Sequence, residues 1–62
     1  MQANIGDTIV FERDDMEIIG RVIKKYEQST LIEIKTVIGG DFPHTRTVVN
    51  HKKYQLFLGD NE

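Results

Sequence analysis

The sequence predicts an all-β domain in which five short strands close into one small barrel. Three observations lead there. Apolar residues recur with a period of two, the spacing that puts alternate side chains on one face of a strand: Ile9 with Phe11, Ile18 with Gly20 and Val22, Ile32 with Ile34. Turn-forming residues interrupt these runs at roughly the 8–12-residue spacing of a sandwich or barrel. Finally, 62 residues without cysteine are too few for two packed sheets with separate cores. One sheet coiled on itself has to supply the core and protect the edges.

The elements follow in order. Residues 1–4 are expected to fray, as are residues 59–62. Ile5 is the first candidate core anchor. Gly6-Asp7 is a turn signal, because Gly accepts positive φ and Asp bonds the backbone just beyond it. TIVFER is β-branched and aromatic and reads as a strand, and Asp14-Asp15 is the tip of a tight turn. The return run MEIIGRVIKKY also carries apolar residues at helical spacing, but Gly20 at its centre, its β-branched content and its missing N-cap favour a strand. Gly20 then marks a bend or bulge that lets a long strand curl, which explains apolar residues on both faces. A turn at Glu27-Gln28-Ser29 leads into TLIEIKTVI, with Ile32 and Ile34 inward, Glu33 and Lys35 outward, and Leu31 half-buried. The longest loop starts at Gly39-Gly40 and runs past Phe42-Pro43 to about Thr45. RTVV is a fourth strand, Asn50–Lys53 a tight or 3₁₀ turn, and YQLFL a fifth strand with Tyr54, Leu56 and Leu58 on one face. A short turn before the last strand is typical of SH3-like barrels. The expected core is Ile9, Phe11, Ile18, Val22, Ile32, Ile34, Val49 and Leu56.

Composition narrows the classes. The start, MQANIGDT, has neither the basic nor the apolar region of a signal peptide, and no apolar run nears the ~20 residues of a membrane helix. A soluble, cytoplasmic, monomeric single domain spanning residues 1–62 is expected, with no membrane partner. The net charge of −2 is unevenly spread. Residues 1–20 hold five acids (Asp7, Glu12, Asp14, Asp15, Glu17) against Arg13 alone. Residues 21–58 hold seven bases (Arg21, Lys24, Lys25, Lys35, Arg46, Lys52, Lys53) against three acids (Glu27, Glu33, Asp41). Such asymmetry can fold into an acidic and a basic face.

Ile5-Gly6-Asp7-x-Ile9-x-Phe11, followed by Gly20-x-Val22, resembles the KOW motif, the first hairpin of SH3-like barrels in ribosomal proteins and transcription elongation factors. With TVVNHKKY near the end, the whole chain resembles the YkvS family of small bacterial proteins, regarded as KOW-like. The resemblance implies a five-stranded SH3-like, KOW-type barrel that binds RNA or a protein through loops at one end. The chain departs from ribosomal KOW domains in being net acidic, with a doubly acidic first turn.

Two candidate sites emerge. Lys24, Lys25, Arg46, His51, Lys52 and Lys53, interleaved with Tyr26, Phe42 and Tyr54, combine cations for phosphates with aromatic faces for bases. That set would take single-stranded nucleic acid through about four to six phosphate contacts and with strong salt dependence. Phe42 beside Pro43 on the long loop, together with Asp14 and Asp15, is the candidate for recognising a protein. The partner is then RNA or a ribosomal or transcription protein. No metal and no cofactor are expected: Asp14, Asp15 and Glu17 lack calcium-loop spacing, and His44, His51 and Asp41 form no ligand pair. No small-molecule substrate and no catalysis are expected either, since Ser29 is the one serine and no nucleophile–base spacing occurs.

Overall fold

Alternating inward and outward side chains produce five antiparallel strands in a single sheet. The computed structural model describes residues 2–57, and among these there is no helix. The strands are β1 (Thr8–Arg13), β2 (Met16–Lys25), β3 (Ser29–Ile38), β4 (Arg46–Asn50) and β5 (Gln55–Leu56). Their order across the sheet is β4-β3-β2-β1-β5. Flat strands stand about 4.8 Å apart, so β1 and β4, with two strands between them, would lie well separated. Instead Arg13 Nη1 on β1 donates to Thr47 Oγ1 on β4 at 2.8 Å, and Val49 of β4 joins Phe11 of β1 in one core. The sheet is therefore coiled on itself as a small SH3-like barrel.

The core consists of Ala3, Ile9, Phe11, Met16, Ile18, Val22, Ile32 and Val49. Six of the eight expected core residues are among these. Ile34 is only partly buried against the cluster. Leu56, expected inside, is 36% exposed. The reason is the brevity of β5: two residues pair with β1 at Ile9 and Val10, and among the described residues no strand pairs with the other side of this edge. The run expected as a five-residue strand thus pairs only at Gln55 and Leu56, and Leu58 lies outside the described residues. Ile5 is also corrected, being 66% exposed. Its place is taken by Ala3, fully buried, whose N–H donates to Tyr54 Oη at 3.0 Å. Residues 2–4 are accordingly anchored at Ala3 rather than frayed, while Met1 and residues 59–62 lie outside the described residues. Asn4–Asp7 forms a hydrogen-bonded turn with Gly6 at φ 97°, and Gly6 N–H and Asp7 C=O both bond to Val22.

Two irregularities bend β2 against β3. Register slips between Ile19 and Gly20 and again between Val22 and Lys24. In the first, Lys35 of β3 is the unpaired residue; in the second it is Ile23 of β2. Gly20 is required by close approach: a Cβ there would stand 2.6 Å from Ile32 Cδ1 and 2.8 Å from the Glu33 carbonyl oxygen. Beside the second slip, the buried Thr30 hydroxyl donates to the Lys24 carbonyl at 2.8 Å, as a buried polar group must.

Candidate nucleic-acid interface

A meander places alternate connections at opposite ends of the barrel. One end carries the β2–β3 and β4–β5 turns. The first is a two-residue loop, Glu27-Gln28, closed by Tyr26 N–H to the Ser29 carbonyl at 2.8 Å. The second is closed by Lys53 N–H to the Asn50 carbonyl at 2.9 Å, and Asn50 Oδ1 accepts from Lys52 N–H at 2.8 Å. The asparagine side chain thereby mimics a turn of backbone.

His51 locks the two turns together. Its N–H donates to the Gln28 carbonyl at 3.0 Å, and its ring Nε2 lies 3.0 Å from the Tyr26 carbonyl oxygen. A carbonyl only accepts, so Nε2 carries the proton. In the neutral ring Nδ1 is then an acceptor, and Tyr54 Oη, 2.9 Å away, donates to it. Tyr54 Oη in turn accepts from Ala3 N–H. The relay ties N-terminus, both turns and β5 into one unit. Both ring nitrogens of His51 are engaged inside the chain, so its part is to hold the site in shape.

The lock gathers most of the predicted cations. Lys24 and Lys25 end β2, and Lys52 and Lys53 stand exposed or half-exposed with them at this end. Lys24 Nζ is 5.6 Å from the centroid of the Tyr26 ring, which is 41% exposed. A cleft of about 300 Å³ runs between the turns past Glu27, His51 and Lys52. A larger groove of about 590 Å³ lies on the other side of Lys52 and Lys53, floored by Val10, Phe11 and Tyr54 and bordered by Glu12 and Glu17. Arg46 is not part of this end. It sits four residues before Asn50 on β4, roughly 13 Å along the strand, in register with Glu33.

The second predicted set comes together at the other end. Asp14 and Asp15 are exposed at the tip of the β1–β2 hairpin, with φ of 54° and 66°. The long loop leaves β3 directly beside them, since positions built at Gly39 and Gly40 meet Asp15 and Met16 at 3.0–3.3 Å. Phe42 does not protrude: it is partly buried against the core. The Arg13 guanidinium lies over both aromatic rings of this end, 5.2 Å from the Phe11 centroid and 5.9 Å from that of Phe42. It also donates to the Val48 carbonyl at 3.3 Å. Arg13 was not singled out by sequence reasoning, because its role depends on β4 coming round to meet it. Among the described residues no three His, Asp or Glu side chains stand together as a metal site.

A five-stranded coiled sheet with paired turns at each end defines a small SH3-like β-barrel. The chain belongs to the family described as an uncharacterized protein conserved in bacteria, DUF2187, whose model matches residues 1–57. No curated protein and no solved structure matches the chain. No helix among the described residues is long and apolar enough to cross a membrane.

Proposed function

We propose that the chain is a small non-catalytic, KOW-like binding domain whose turn end takes single-stranded RNA, as a cytoplasmic, monomeric accessory to the ribosome or the transcription machinery. The observation that supports this most is the His51 lock. It brings Lys24, Lys25, Lys52 and Lys53 to one end of the barrel beside the exposed Tyr26 ring. Cations placed for phosphates next to an open aromatic face are the elements of single-strand recognition. Four lysines set the scale. For single strands the logarithm of affinity falls by about 0.7 per logarithm of salt for each phosphate contact, so four contacts lose roughly fifty-fold between 50 and 200 mM salt.

The test is an NMR titration of labelled protein with a short oligouridine at low and at physiological salt. Shifts confined to Lys24–Tyr26 and His51–Tyr54 that fade as salt rises support the reading. An unchanged spectrum at low salt overturns it.

A second reading is a protein adaptor that binds no nucleic acid and docks the acidic end on a basic surface. Asp14 and Asp15 share that end with the Gly39–His44 loop. Because Phe42 is tucked against the core, the charges would carry this contact. Neutralising Asp14 and Asp15 should then abolish capture of the partner.

A further inference from the structure

Arg46 stands away from the turn end, and its neighbours show what it stands with. Residues in register across β2, β3 and β4 form rows on the sheet. Arg21, Glu33 and Arg46 make one row, and Lys24, Leu31 and Val48 make another. Both rows lie on the outer face, since the residues that alternate with them, Val22, Ile32 and Val49, are buried. In a regular strand Arg21 and Lys24, three residues apart, would point to opposite faces. The unpaired Ile23 shifts the alternation by one and puts both cations on the same side. The rows are one pleat apart on β3 and β4, roughly 7 Å. Beside Lys24 in its row lie the half-buried Leu31 and Val48, which is 47% exposed, with Glu33 and Arg46 one pleat away on the same strands.

The charge on this face is in surplus. Glu33 is the one carboxylate in the two rows, and it is taken by Lys35 at 3.3 Å, the single ion pair among the described residues. Arg21 and Arg46 are exposed, and the arginine side chain that hydrogen-bonds within the described residues is Arg13. Their guanidinium groups keep all their donors for an outside acceptor. A guanidinium with free donors suits a phosphate oxygen in particular.

We infer that the nucleic-acid site does not stop at the turns but continues down the outer face of β2, β3 and β4, as a track of Lys24, Arg21 and Arg46 over Leu31 and Val48. This rests on the RNA reading above and gives it a direction: a strand too long for the turn end follows this face. The apolar floor takes ribose or base faces, and the cations beside it take phosphates.

The experiment compares triuridine with decauridine on the intact chain. Wild type should bind decauridine more tightly and with a steeper salt dependence. Arg21→Gln combined with Arg46→Gln should lower the decauridine salt slope by about 1.4, at 0.7 for each lost contact, and leave triuridine binding as it was. Glu33→Gln removes the one negative charge from the face and should tighten decauridine binding, a gain that a damaged fold cannot produce. The track is overturned if the double variant and Glu33→Gln both bind decauridine like wild type while Lys52→Gln with Lys53→Gln weakens both oligomers. In that case the turn end alone is the site. If wild type binds neither oligomer at low salt, the RNA reading falls and takes the track with it.

Discussion

The two ends of this barrel are closed in different ways. At the acidic end the closure is apolar and aromatic: Met16 in the core, Phe42 folded against it, and the Arg13 guanidinium lying over Phe11 and Phe42. At the basic end Ala3 and Tyr54 also pack on the core, and a chain of hydrogen bonds through His51, Tyr54 and the Ala3 N–H is added to that packing. Packing carries most of the free energy of folding, whereas an intramolecular hydrogen bond nets only about 1 kcal/mol. The hydrogen-bonded turns of the basic end should therefore add less to the stability of the fold than the packing of Met16 and Phe42, and they are free to be shaped for binding. The two ends share a strand, β2, and the point where they are most tightly coupled is its middle.

The largest effect is expected there. Gly20→Val must fit a branched side chain where a Cβ alone would stand 2.8 Å from the Glu33 carbonyl oxygen. Backbone cannot swing aside as a side chain can, and overpacking of this kind costs about 1–3 kcal/mol or more. Domains of this size rarely hold more than about 3–5 kcal/mol in total. Gly20→Val should lose much of that stability and melt far below wild type by circular dichroism, and Gly20→Ala should melt below wild type by less. A wild-type melting temperature for both would mean that β2 and β3 do not approach as described.

Next comes Phe42→Ala. Truncating a fully buried Phe costs about 3–5 kcal/mol, and a half-buried one correspondingly less, about 1–3 kcal/mol. Each kcal/mol lowers the melting temperature of a small domain by about 4–8 °C. RNA affinity of the folded fraction should not change, because Phe42 is at the far end. A protein that melts normally but loses a protein partner would favour the adaptor reading and reverse the assignment of the two ends.

These two residues also show how far the chain could be understood from its sequence. Strand periodicity located Ile9, Phe11, Ile18, Val22, Ile32 and Val49 in the core because alternation is a local property, independent of how the sheet closes. Gly20 was legible for the same reason, as a glycine inside an apolar alternation. Leu56 looked equally buried, but its burial depended on how many residues β5 could pair, which is decided by closure. Phe42 reads as a protein-recognition residue on the long loop, and its folding back against the core depends on Arg13 and the residues beneath it, which are far away in sequence. The basic cluster was read as one patch, yet the fold splits it. Charge and residue type are local, whereas the separation of Arg46 from the turns comes from four residues of strand, and the union of Arg21 with Lys24 comes from an unpaired Ile23. Ala3 could not have been found from its sequence signal at all, since an alanine near a terminus carries none.

His51→Ala should give the opposite profile to Phe42→Ala. It removes a part-buried ring hydrogen bond to Tyr54 and an exposed one to the Tyr26 carbonyl, so the stability cost should be about 1–2 kcal/mol. The two turns should nonetheless loosen from each other, seen as faster amide exchange at Lys53 and Ser29 than at Val22. If RNA binding depends on the turns being held together, affinity should drop although both ring nitrogens of His51 are engaged within the chain. His51→Gln, which can still donate to the Tyr26 carbonyl, should recover part of it. A loss of stability as large as that of Phe42→Ala would mean that the relay supports the core and the contrast between the ends is wrong.

The smallest effect should be a gain, at the Asp14-Asp15 turn. Both residues have positive φ, as the central pair of a type I′ hairpin does, and Asp-Gly is among the sequences that suit it best. A non-glycine residue in the left-handed region costs about 1–2 kcal/mol, although Asp tolerates it better than most. Asp15→Gly removes that cost and also one charge from an end where Glu12 and Glu17 already face each other in register. Against this stands the extra freedom that glycine has in the unfolded chain, about 0.5–1 kcal/mol. The net should be a stabilisation of roughly 0.5 kcal/mol, a rise of a few degrees in melting temperature. Asp15→Asn separates the two causes, because it removes the charge while keeping a side chain. Glycine should exceed asparagine if backbone strain dominates, and the two should match if charge does. In either case RNA binding should stay as it is, since a surface charge more than about 10 Å away is largely screened at physiological salt. A clear rise in RNA affinity with both variants would mean that the strand passes near the acidic end, and the two ends would then have to be treated as one surface.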